Sequence, residues 1–530
     1  MSTKENPAQR VERIKKEKCG LDVIEDIKIY ASTDKEIDPE DIDRFKWYGL
    51  YTQNKNLQGD DESLYFMLRV KLVHGSANIE QIREMAKISK ELCRDTADFT
   101  TRQDLQFHFV SVKNLPEIFE RLNSVGLTTK FAAGDVPRNV TTCAVSGVDH
   151  DELCDTREIV NEINDFLGGN RDLANLPRKY KVAVSSCAKH CINHEHQDLS
   201  FSAFELNGEI FFDVNVGGGL ASSKRFATSI GYAKEDQILD IVKAVTYTYR
   251  DHGLRESRKK ARIAHLITSW GEEKFKSHIE GELGYTLPNT PDIKYTPYKQ
   301  REHFGVHPSK VEGKSYVGIA VNGGHIGSEN LFALADIIEK HGATKIKTTI
   351  TQNFVVEDVP NENVDALVAD LEAIGLDAFP NSFKARLLSC TGLDFCKFAV
   401  SDTKKTGIAL ANYLNEKFPD FEERVSISVN GCPNSCAHPN IVNIGLMGTK
   451  VKDPELGKSV PGYMLLLGGN LEGKDSVFAE STKFKIHPKD LNTTVENIIN
   501  QYIQSGETSI NDFIIKKLEN SEEFLESLNK

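Results

Sequence analysis

The sequence predicts an internally duplicated α+β protein, and three observations support this fold class. At 530 residues, the chain is too long for a single ordinary core and should contain several domain-sized units. Two segments align without a gap at an offset of 249 positions, pairing Gln103 with Gln352 and Gly126 with Gly375. Further along, VAVSSCAKHC, which begins at Val182, resembles ISVNGCPNSC in the second half.

Each copy of the first repeat has the same predicted elements. An apolar alternation predicts a strand, an amphipathic pattern then predicts a helix, and a glycine ends it. The glycine-rich stretches NVGGGL and LLGGNL follow the cysteine segments in both halves. Short patterns can align by chance, but several matches that keep chain order indicate duplication.

Composition excludes several classes of protein. A net charge of −13 argues against a general nucleic-acid binder, which needs surplus Lys and Arg to meet phosphates. The polar N-terminus lacks the apolar run of a secretory signal, and no stretch is apolar enough to span a bilayer. We therefore expect a cytoplasmic protein with no membrane partner, whose ten cysteines are thiols or metal ligands.

Four cysteines of the second half form two close pairs. Cys390 and Cys396 stand in CTGLDFC, and Cys432 and Cys436 stand in GCPNSC. Four thiolates match the ligand count of a [4Fe–4S] cluster. Zinc is the alternative, although five residues between one pair exceed the usual zinc spacing, and buried inert thiols are another.

The first half keeps three comparable cysteines, which are Cys143, Cys187 and Cys191. This is one ligand short of a full cluster site. We expect that a former site there has been lost.

Two predicted strands carry polar residues along one face. In FMLRVKL, Arg69 and Lys71 share a face opposite the apolar residues. In TTRQDLQFHF, Arg102, Gln106 and His108 do the same. Either face taken alone is typical of a solvated surface.

Together, C-x5-C followed by NGCPNSC in a duplicated chain resembles the sirohaem-dependent nitrite and sulfite reductases. The resemblance implies that each half is a ferredoxin-like α/β unit followed by a larger α+β unit that binds sirohaem or the cluster. It implies a [4Fe–4S] cluster on the four cysteines named above, with Cys436 also the axial ligand of the sirohaem iron. The implied domains are an N-terminal extension (1–56), a first ferredoxin-like half-domain (57–130), a first sirohaem-binding domain (131–290), a connection (291–314), a second ferredoxin-like half-domain (315–378) and a cluster- and sirohaem-binding domain with C-terminal helices (379–530).

The resemblance also implies a cationic pocket for a small anion. FMLRVKL, GDVPRNV and NLPRKYK match the family's anion-binding segments and place the catalytic residues at Arg69, Arg138, Lys179 and Lys181. Arg102, Gln106 and Arg262 are the expected partners of sirohaem carboxylates, which need charge-assisted hydrogen bonds when buried. Asp98 stands where some relatives have a further arginine. Tyr51 and Cys143 match the positions of a Tyr–Cys thioether of some relatives, although a core tyrosine and a buried thiol are the alternative.

The implied function is six-electron reduction of sulfite, with nitrite reductase and a non-catalytic electron carrier as alternatives. The dissimilatory sulfite reductases are a third alternative, but no second cluster motif for an added ferredoxin domain is present. The lysine at position 181 favours sulfite, because the resemblance implies asparagine at that position in nitrite-reducing relatives. Charge gives a second reason, since sulfite carries more negative charge than nitrite. The chain has no dinucleotide fingerprint, so a ferredoxin or a flavoprotein must supply electrons. We expect a donor-docking patch made of Lys384, Arg386, Lys397, Lys404 and Lys405.

Overall fold

The computed structural model describes residues 5–53, 64–187, 189–221 and 224–528. The predicted boundary between residues 56 and 57 lies outside the described residues. Three N-terminal helices come first: α1 (Pro7–Glu17), α2 (Val23–Ser32) and α3 (Pro39–Arg44). Asn6 caps α1 by accepting hydrogen bonds from the backbone of Ala8 and Gln9, which is the usual role of asparagine at this position.

The first ferredoxin-like unit is an antiparallel sheet covered by two helices. Its elements are β1 (Leu50–Thr52), β2 (Tyr65–Val70), β3 (Ser76–Asn78), α4 (Ile79–Leu92), β4 (Asp98–Phe99), β5 (Leu105–Ser111) and α5 (Leu115–Ser124). The strand order is β1-β2-β5-β4. Phe66, Leu68 and Val70 of β2 are buried, as their alternation predicts.

The first larger domain is built on a mixed sheet of order β10-β9-β8-β7-β6. Its elements are β6 (Thr141–Thr142), α6 (Arg157–Leu167), β7 (Val182–Ser185), β8 (Leu199–Leu206), β9 (Glu209–Val216), β10 (Thr228–Ala233), α7 (Ile238–His252), α8 (Ile263–Trp270) and α9 (Glu272–Leu283). The pairs β6–β7 and β7–β8 are parallel, and the other two pairs are antiparallel.

The second ferredoxin-like unit repeats the first. Its elements are β11 (Gly305–Pro308), β12 (Lys314–Ile319), α10 (Gly327–Lys340), β13 (Lys345–Thr348), β14 (Phe354–Pro360) and α11 (Val364–Ala373). The strand order is β11-β12-β14-β13-β3, so β3 of the first half completes the sheet of the second.

The second larger domain has the same sheet plan as the first larger domain. Its elements are α12 (Ser382–Ala385), β15 (Leu387–Ser389), α13 (Lys404–Lys417), β16 (Ile427–Asn430), β17 (Ile444–Lys452), β18 (Ser459–Leu467), β19 (Glu480–Ile486), α14 (Leu491–Ser505), α15 (Ile510–Leu518) and α16 (Ser521–Ser527). The strand order is β15-β16-β17-β18-β19, with two parallel pairs followed by two antiparallel pairs.

The predicted duplication is therefore confirmed. Strands β5 and β14, and helices α5 and α11, begin and end at positions 249 residues apart. The glycines that follow the two helices, Gly126 and Gly375, both have left-handed backbone angles, which glycine adopts without a steric penalty.

The two ferredoxin-like units share one hydrophobic core, and each larger domain has its own. A shared core makes the two halves one structural body, since apolar surface from both is removed from water together. Within the described part of the chain, the helices are too short or too polar to cross a membrane.

Candidate functional site

The cysteines of the second half lie at the carboxyl ends of two parallel strands. Cys390 directly follows β15, and Cys432 lies two residues after the end of β16. The backbone N–H of Gly431 donates to the Cys390 sulfur at 3.1 Å. Carboxyl ends of neighbouring parallel strands meet at one edge, where ligands commonly bind in α/β folds.

The GCPNSC loop is fixed by the side chain of the asparagine that precedes it, Asn430. Asn430 donates to the carbonyl of Cys432 and accepts from the backbone N–H of Ala437 at 2.9 Å. Within this loop Ser435 has a left-handed φ of 54°, a conformation uncommon for residues other than glycine. The loop thus presents Cys436 as an exposed cysteine.

The CTGLDFC loop requires its glycine. Gly392 has φ of +72°, and a Cβ there would lie 2.3 Å from the hydroxyl oxygen of Thr403. That same Thr403 hydroxyl donates to the carbonyl of Cys390 at 2.6 Å. The close approach holds the loop against the start of α13.

The four thiols influence one another electrostatically. Burial, together with a charge on Cys436, raises the pKa of Cys390 to about 12. Burial also raises the pKa of Cys396 and of Cys432, with Cys436 again contributing. Without a bound cation these groups therefore stay protonated, and a metal would be needed to hold them as thiolates.

Arg69 and Arg138 lie side by side. Each guanidinium donates to the carbonyl of Ala132 at 3.1 Å, and Arg69 also donates to Gln106 at 3.1 Å. The Nε atoms of both arginines are buried and have no hydrogen-bond partner in the described chain. The pair is therefore held in place while retaining unused donors.

Lys179 and Lys181 add two further cations to this pocket. Burial and neighbouring Arg262 lower the pKa of Lys179 to about 8, and a charge on Cys436 opposes the shift. Burial and Lys179 lower the pKa of Lys181 well below its ordinary value. Neither ammonium group has a hydrogen-bonding partner among the described residues. The buried carboxylates of Asp104 and Asp198 lie near these cations but are fewer than they are, so the pocket keeps an excess of positive charge.

Tyr51 lies within the same group. Its hydroxyl accepts a hydrogen bond from Arg138 at 3.2 Å. Burial alone would raise the pKa of Tyr51, but the positive charges of Arg138, Arg69 and Lys179 lower it to about 7. From the sequence, this position is either a core tyrosine or a candidate for a thioether, and nothing there indicates an acidic phenol.

The structure gives Tyr51 and Cys143 different neighbours. The sulfur of Cys143 lies with Cys187, Cys191 and His303, while Tyr51 contacts the arginines of the pocket. This arrangement favours the alternative, a buried tyrosine and a separate thiol, over a thioether between them.

Two of the residues expected to bind the cofactor make hydrogen bonds to protein groups. The guanidinium of Arg102 donates to the carbonyls of Asn139 and Val182 and to the side chain of Gln197. Arg262 forms a two-bond ion pair with Asp198, at 2.9 and 2.6 Å. Asp198 also accepts from the backbone N–H of Lys181 at 2.9 Å, so this ion pair positions the lysine segment. Gln106 accepts a hydrogen bond from Arg69 and donates one to the hydroxyl of Thr391 at 3.2 Å.

Asp98 is occupied by contacts within the protein. Its carboxylate contacts His108 at 3.1 Å, His325 at 2.9 Å and Lys404 at 3.5 Å. Burial would raise the pKa of Asp98, but Lys404 and the two histidines hold it far below its usual range. The carboxylate therefore joins the first half to the start of α13.

Two buried histidines were missed because neither belongs to a recognisable motif. His196 and His438 lie with their rings 4.7 Å apart, and neither ring nitrogen of His196 has a partner in the described chain. Burial and nearby Lys181 lower the pKa of His196 to about 3. Both rings therefore stay neutral beside the pocket. The one feature of the sequence that could have indicated them is that His438 lies two residues after Cys436.

The predicted donor-docking patch is only partly on the surface. Arg386 is buried on Tyr298, at 4.0 Å from its ring centre, and Lys404 points inward to Asp98 and to the carbonyl of Gly323. Lys384 is held by Asp377. Of the five residues, Lys397 and Lys405 remain exposed near the cluster loop. The expectation of a continuous five-residue patch is wrong, because two members satisfy internal groups.

The comparisons with known proteins agree with this geometry. The family model described as "Nitrite and sulphite reductase 4Fe-4S domain" matches residues 133–287 and 382–511. The model described as "Nitrite/Sulfite reductase ferredoxin-like half domain" matches residues 58–125 and 307–374.

Similar proteins extend over almost the whole chain. "Sulfite reductase [ferredoxin] 1" of Mycolicibacterium paratuberculosis is 35% identical, covering 95% of this chain and 94% of that protein. "Ferredoxin--nitrite reductase" of Leptolyngbya laminosa is 32% identical, covering 93% of this chain and 97% of that protein. The solved structure of the Mycobacterium tuberculosis NirA protein superposes with a TM-score of 0.89 at 34% identity, covering 97% of this chain and 96% of that chain.

The duplicated fold and the four-cysteine edge define an oxidoreductase with a 4Fe–4S domain. The chain belongs to the nitrite and sulfite reductase family.

Proposed function

We propose that this protein reduces sulfite to sulfide, using ferredoxin as the electron donor and a sirohaem coupled to a [4Fe–4S] cluster. The observation that carries the proposal is the position of Cys436 next to the cationic pocket. The hydroxyl of Thr101, beside Arg102, donates to the Cys436 carbonyl at 3.2 Å, and a charge on Cys436 raises the pKa of Lys179. Relatives named ferredoxin-dependent sulfite reductases support the choice of substrate and donor.

The residues of the second larger domain would hold the cluster. Cys390, Cys396, Cys432 and Cys436 supply four thiols, which is the ligand count of a [4Fe–4S] cluster, and Cys436 would also bind the sirohaem iron. Together the two cofactors would deliver single electrons to the bound anion.

The first half would bind the anionic cofactor and the substrate. Unpaired lysines and unused arginine donors among the described residues suit an anion-binding site, because a buried negative charge needs charged hydrogen-bond donors. The carboxylate-binding roles of Arg102, Gln106 and Arg262 remain predictions. Given its contacts, Arg102 would act by fixing Asn139 and Gln197 around the cofactor.

Protein side chains would also manage charge and protons. Sulfite takes up six electrons and six protons to give sulfide and three waters, so oxygen atoms must be protonated as they leave. Arg69 and Arg138 would neutralise the oxyanion, while Lys179 and Lys181, whose pKa values are lowered, would donate protons readily near neutral pH.

Lys181 favours sulfite over nitrite. Sulfite is substantially a dianion near neutral pH and nitrite is a monoanion, so a fourth cation stabilises bound sulfite more. One charge at a few ångströms changes relative binding by about 1–4 kcal/mol in a partly dry pocket, which is roughly tenfold or more in specificity.

The test is Lys181→Asn, measured as kcat/KM for sulfite and for nitrite on enzyme fully loaded with sirohaem. Lys181→Arg is the matched control, because it keeps the charge. We expect the sulfite-to-nitrite ratio to fall roughly tenfold in the asparagine variant and to fall less in the arginine variant. An unchanged ratio would assign Lys181 to the cofactor, and a wild-type ratio that favours nitrite would make nitrite reduction the function.

A further inference from the structure

A second group of metal-binding side chains lies in the first half, away from the four cysteines of the second. One ligand atom from each of Cys143, Cys187, Cys191 and His303 lies within 4.8 Å of all the others. The Nε2 atom of His303 is 3.5 Å from the Cys143 sulfur and 3.6 Å from the Cys187 sulfur. Three thiols and one imidazole therefore converge on a single point.

Three of the four residues are buried, and Cys191 is partly exposed. Cys143 is 1% exposed, Cys187 is 2% exposed and His303 is 6% exposed. The other ring nitrogen of His303, Nδ1, is also buried and has no hydrogen-bond partner in the described chain. The Nε2 atom, in contrast, faces the sulfur atoms of Cys143 and Cys187, so the imidazole points to the same place as the thiols.

Duplication explains three of the four ligands. Cys143 directly follows β6 as Cys390 follows β15, and Cys187 lies two residues after β7 as Cys432 does after β16. The next cysteine follows four residues later in each half, at Cys191 and Cys436.

The fourth ligand breaks the repeat. The second half takes Cys396 from its own loop, whereas the first half takes His303 from the connection between the halves. The site is thus not one ligand short, as the sequence suggested, because the missing position is filled from a distant segment.

The spacing selects a single ion over a multi-iron cluster. Two thiolates bound to one tetrahedral zinc at about 2.3 Å each lie about 3.8 Å apart. The ligand atoms here all lie within 4.8 Å of one another, which is compatible with that separation. In a [4Fe–4S] cluster each thiolate binds a different iron, which sets the sulfur atoms further apart. Cys187-x3-Cys191 also has the spacing of a structural zinc pair.

We propose that Cys143, Cys187, Cys191 and His303 bind one Zn²⁺ ion as a closed structural site. Four protein ligands leave no open position for a substrate, so the ion would serve the fold. The backbone N–H of Lys189 donates to the Cys187 sulfur at 3.4 Å, which stabilises a thiolate ligand.

The ion would fasten the connection to the first larger domain. Two residues before His303, Arg301 forms a buried two-bond ion pair with Glu195, at 2.7 and 3.0 Å. Glu195 lies in the loop that leads from Cys191 to His196 and Gln197, at the edge of the cationic pocket. Zinc and the ion pair would together set the position of that loop.

The decisive experiment is anomalous X-ray diffraction from crystals of the holoenzyme, with data collected on both sides of the zinc absorption edge. We expect a peak among these four residues above the zinc edge that disappears below it, while the iron sites scatter at both energies. An iron signal at this position, a disulfide, or free thiols with no peak would each overturn the proposal.

Metal analysis of variants gives an independent test. Cys191→Ser and His303→Ala should each lower the zinc content of chelator-dialysed protein roughly tenfold or more, with sirohaem absorbance retained. Cys154→Ser is the matched control, since Cys154 is a half-buried cysteine of the same domain outside the group. If the variants fail to fold, the wild-type diffraction measurement still decides, and equal zinc in all three proteins would contradict the assignment.

Discussion

Gln103 and Gln352 occupy equivalent positions in the two halves, and each binds the backbone of both halves at once. Both have left-handed backbone angles, with φ of 57° and 64°. Gln103 donates to Thr348 of the second half at 2.6 Å and accepts from Thr142 of its own half. Gln352 donates to Phe99 of the first half at 3.0 Å and to Ser389 of its own half. The pair therefore joins the ferredoxin-like units to the larger domains across the pseudo-symmetric centre.

Gln352→Ala should destabilise the protein. The substitution would remove the side-chain partner of three buried backbone groups: the carbonyls of Phe99 and Ser389, and the N–H of Ser389, which donates to Gln352 at 2.9 Å. We expect this loss to lower the free energy of unfolding by about 2–4 kcal/mol. The measurement is the thermal midpoint Tm, because unfolding of a chain with several domains is not expected to be two-state. Gln501→Ala, which removes one partly exposed hydrogen bond, is the control. Equal Tm values for the two variants would contradict the role of Gln352.

Tyr51→Phe should change the pH profile of turnover. The pKa of Tyr51 is lowered to about 7, so its hydroxyl holds a proton below that pH and loses it as pH rises through about 7. If the phenol donates protons to the substrate, wild-type turnover falls across this range, and the variant loses about 10²-fold at lower pH and becomes flat there.

The profile is best measured with nitrite, whose charge stays constant across this range. Tyr180→Phe is the control, because burial raises the pKa of Tyr180 and keeps it protonated. A Tyr51→Phe profile with the same fall near pH 7 would show that another group donates the proton.

Lys397→Glu should weaken the interaction with ferredoxin. Lys397 is exposed next to Cys396, donates to Thr52 at 2.7 Å, and adjoins Phe398, which is 58% exposed. The KM for ferredoxin should rise severalfold at low salt, up to about tenfold, and the difference should shrink as ionic strength increases.

Turnover with an artificial donor should stay unchanged in this variant. Lys489→Glu is the control, because Lys489 is a surface lysine paired with Glu455. An equal rise in KM for both variants would show a general charge effect and would remove Lys397 from the docking site.

Much of the fold could be predicted because duplication leaves a sequence signal. The 249-residue offset alone predicts the correspondence of β5 with β14 and of α5 with α11. Alternating burial in β2 followed from its apolar residues, since a strand exposes alternate side chains to opposite sides. The pairing of β3 with the sheet of the second half left no such signal, because a strand of three residues is too short to show an alternation of apolar and polar residues.

The site was less predictable, because pattern identifies residue types and not their partners. Arg102 and Arg386 each donate to a carbonyl of a distant segment, and no local motif predicts such contacts. His303 joins the cysteine group from the middle of the connection. Long-range convergence of this kind depends on how the halves pack together.

Cys436 is the central residue of the proposed site, because it alone would contact both the cluster and the sirohaem. The most direct measurement is Mössbauer spectroscopy of ⁵⁷Fe-labelled wild type and Cys436→Ser. The wild type should show a cluster magnetically coupled to the haem iron, and the variant should show either uncoupled iron signals or loss of the sirohaem. A Cys436→Ser protein that retained full coupling between cluster and haem would contradict the account.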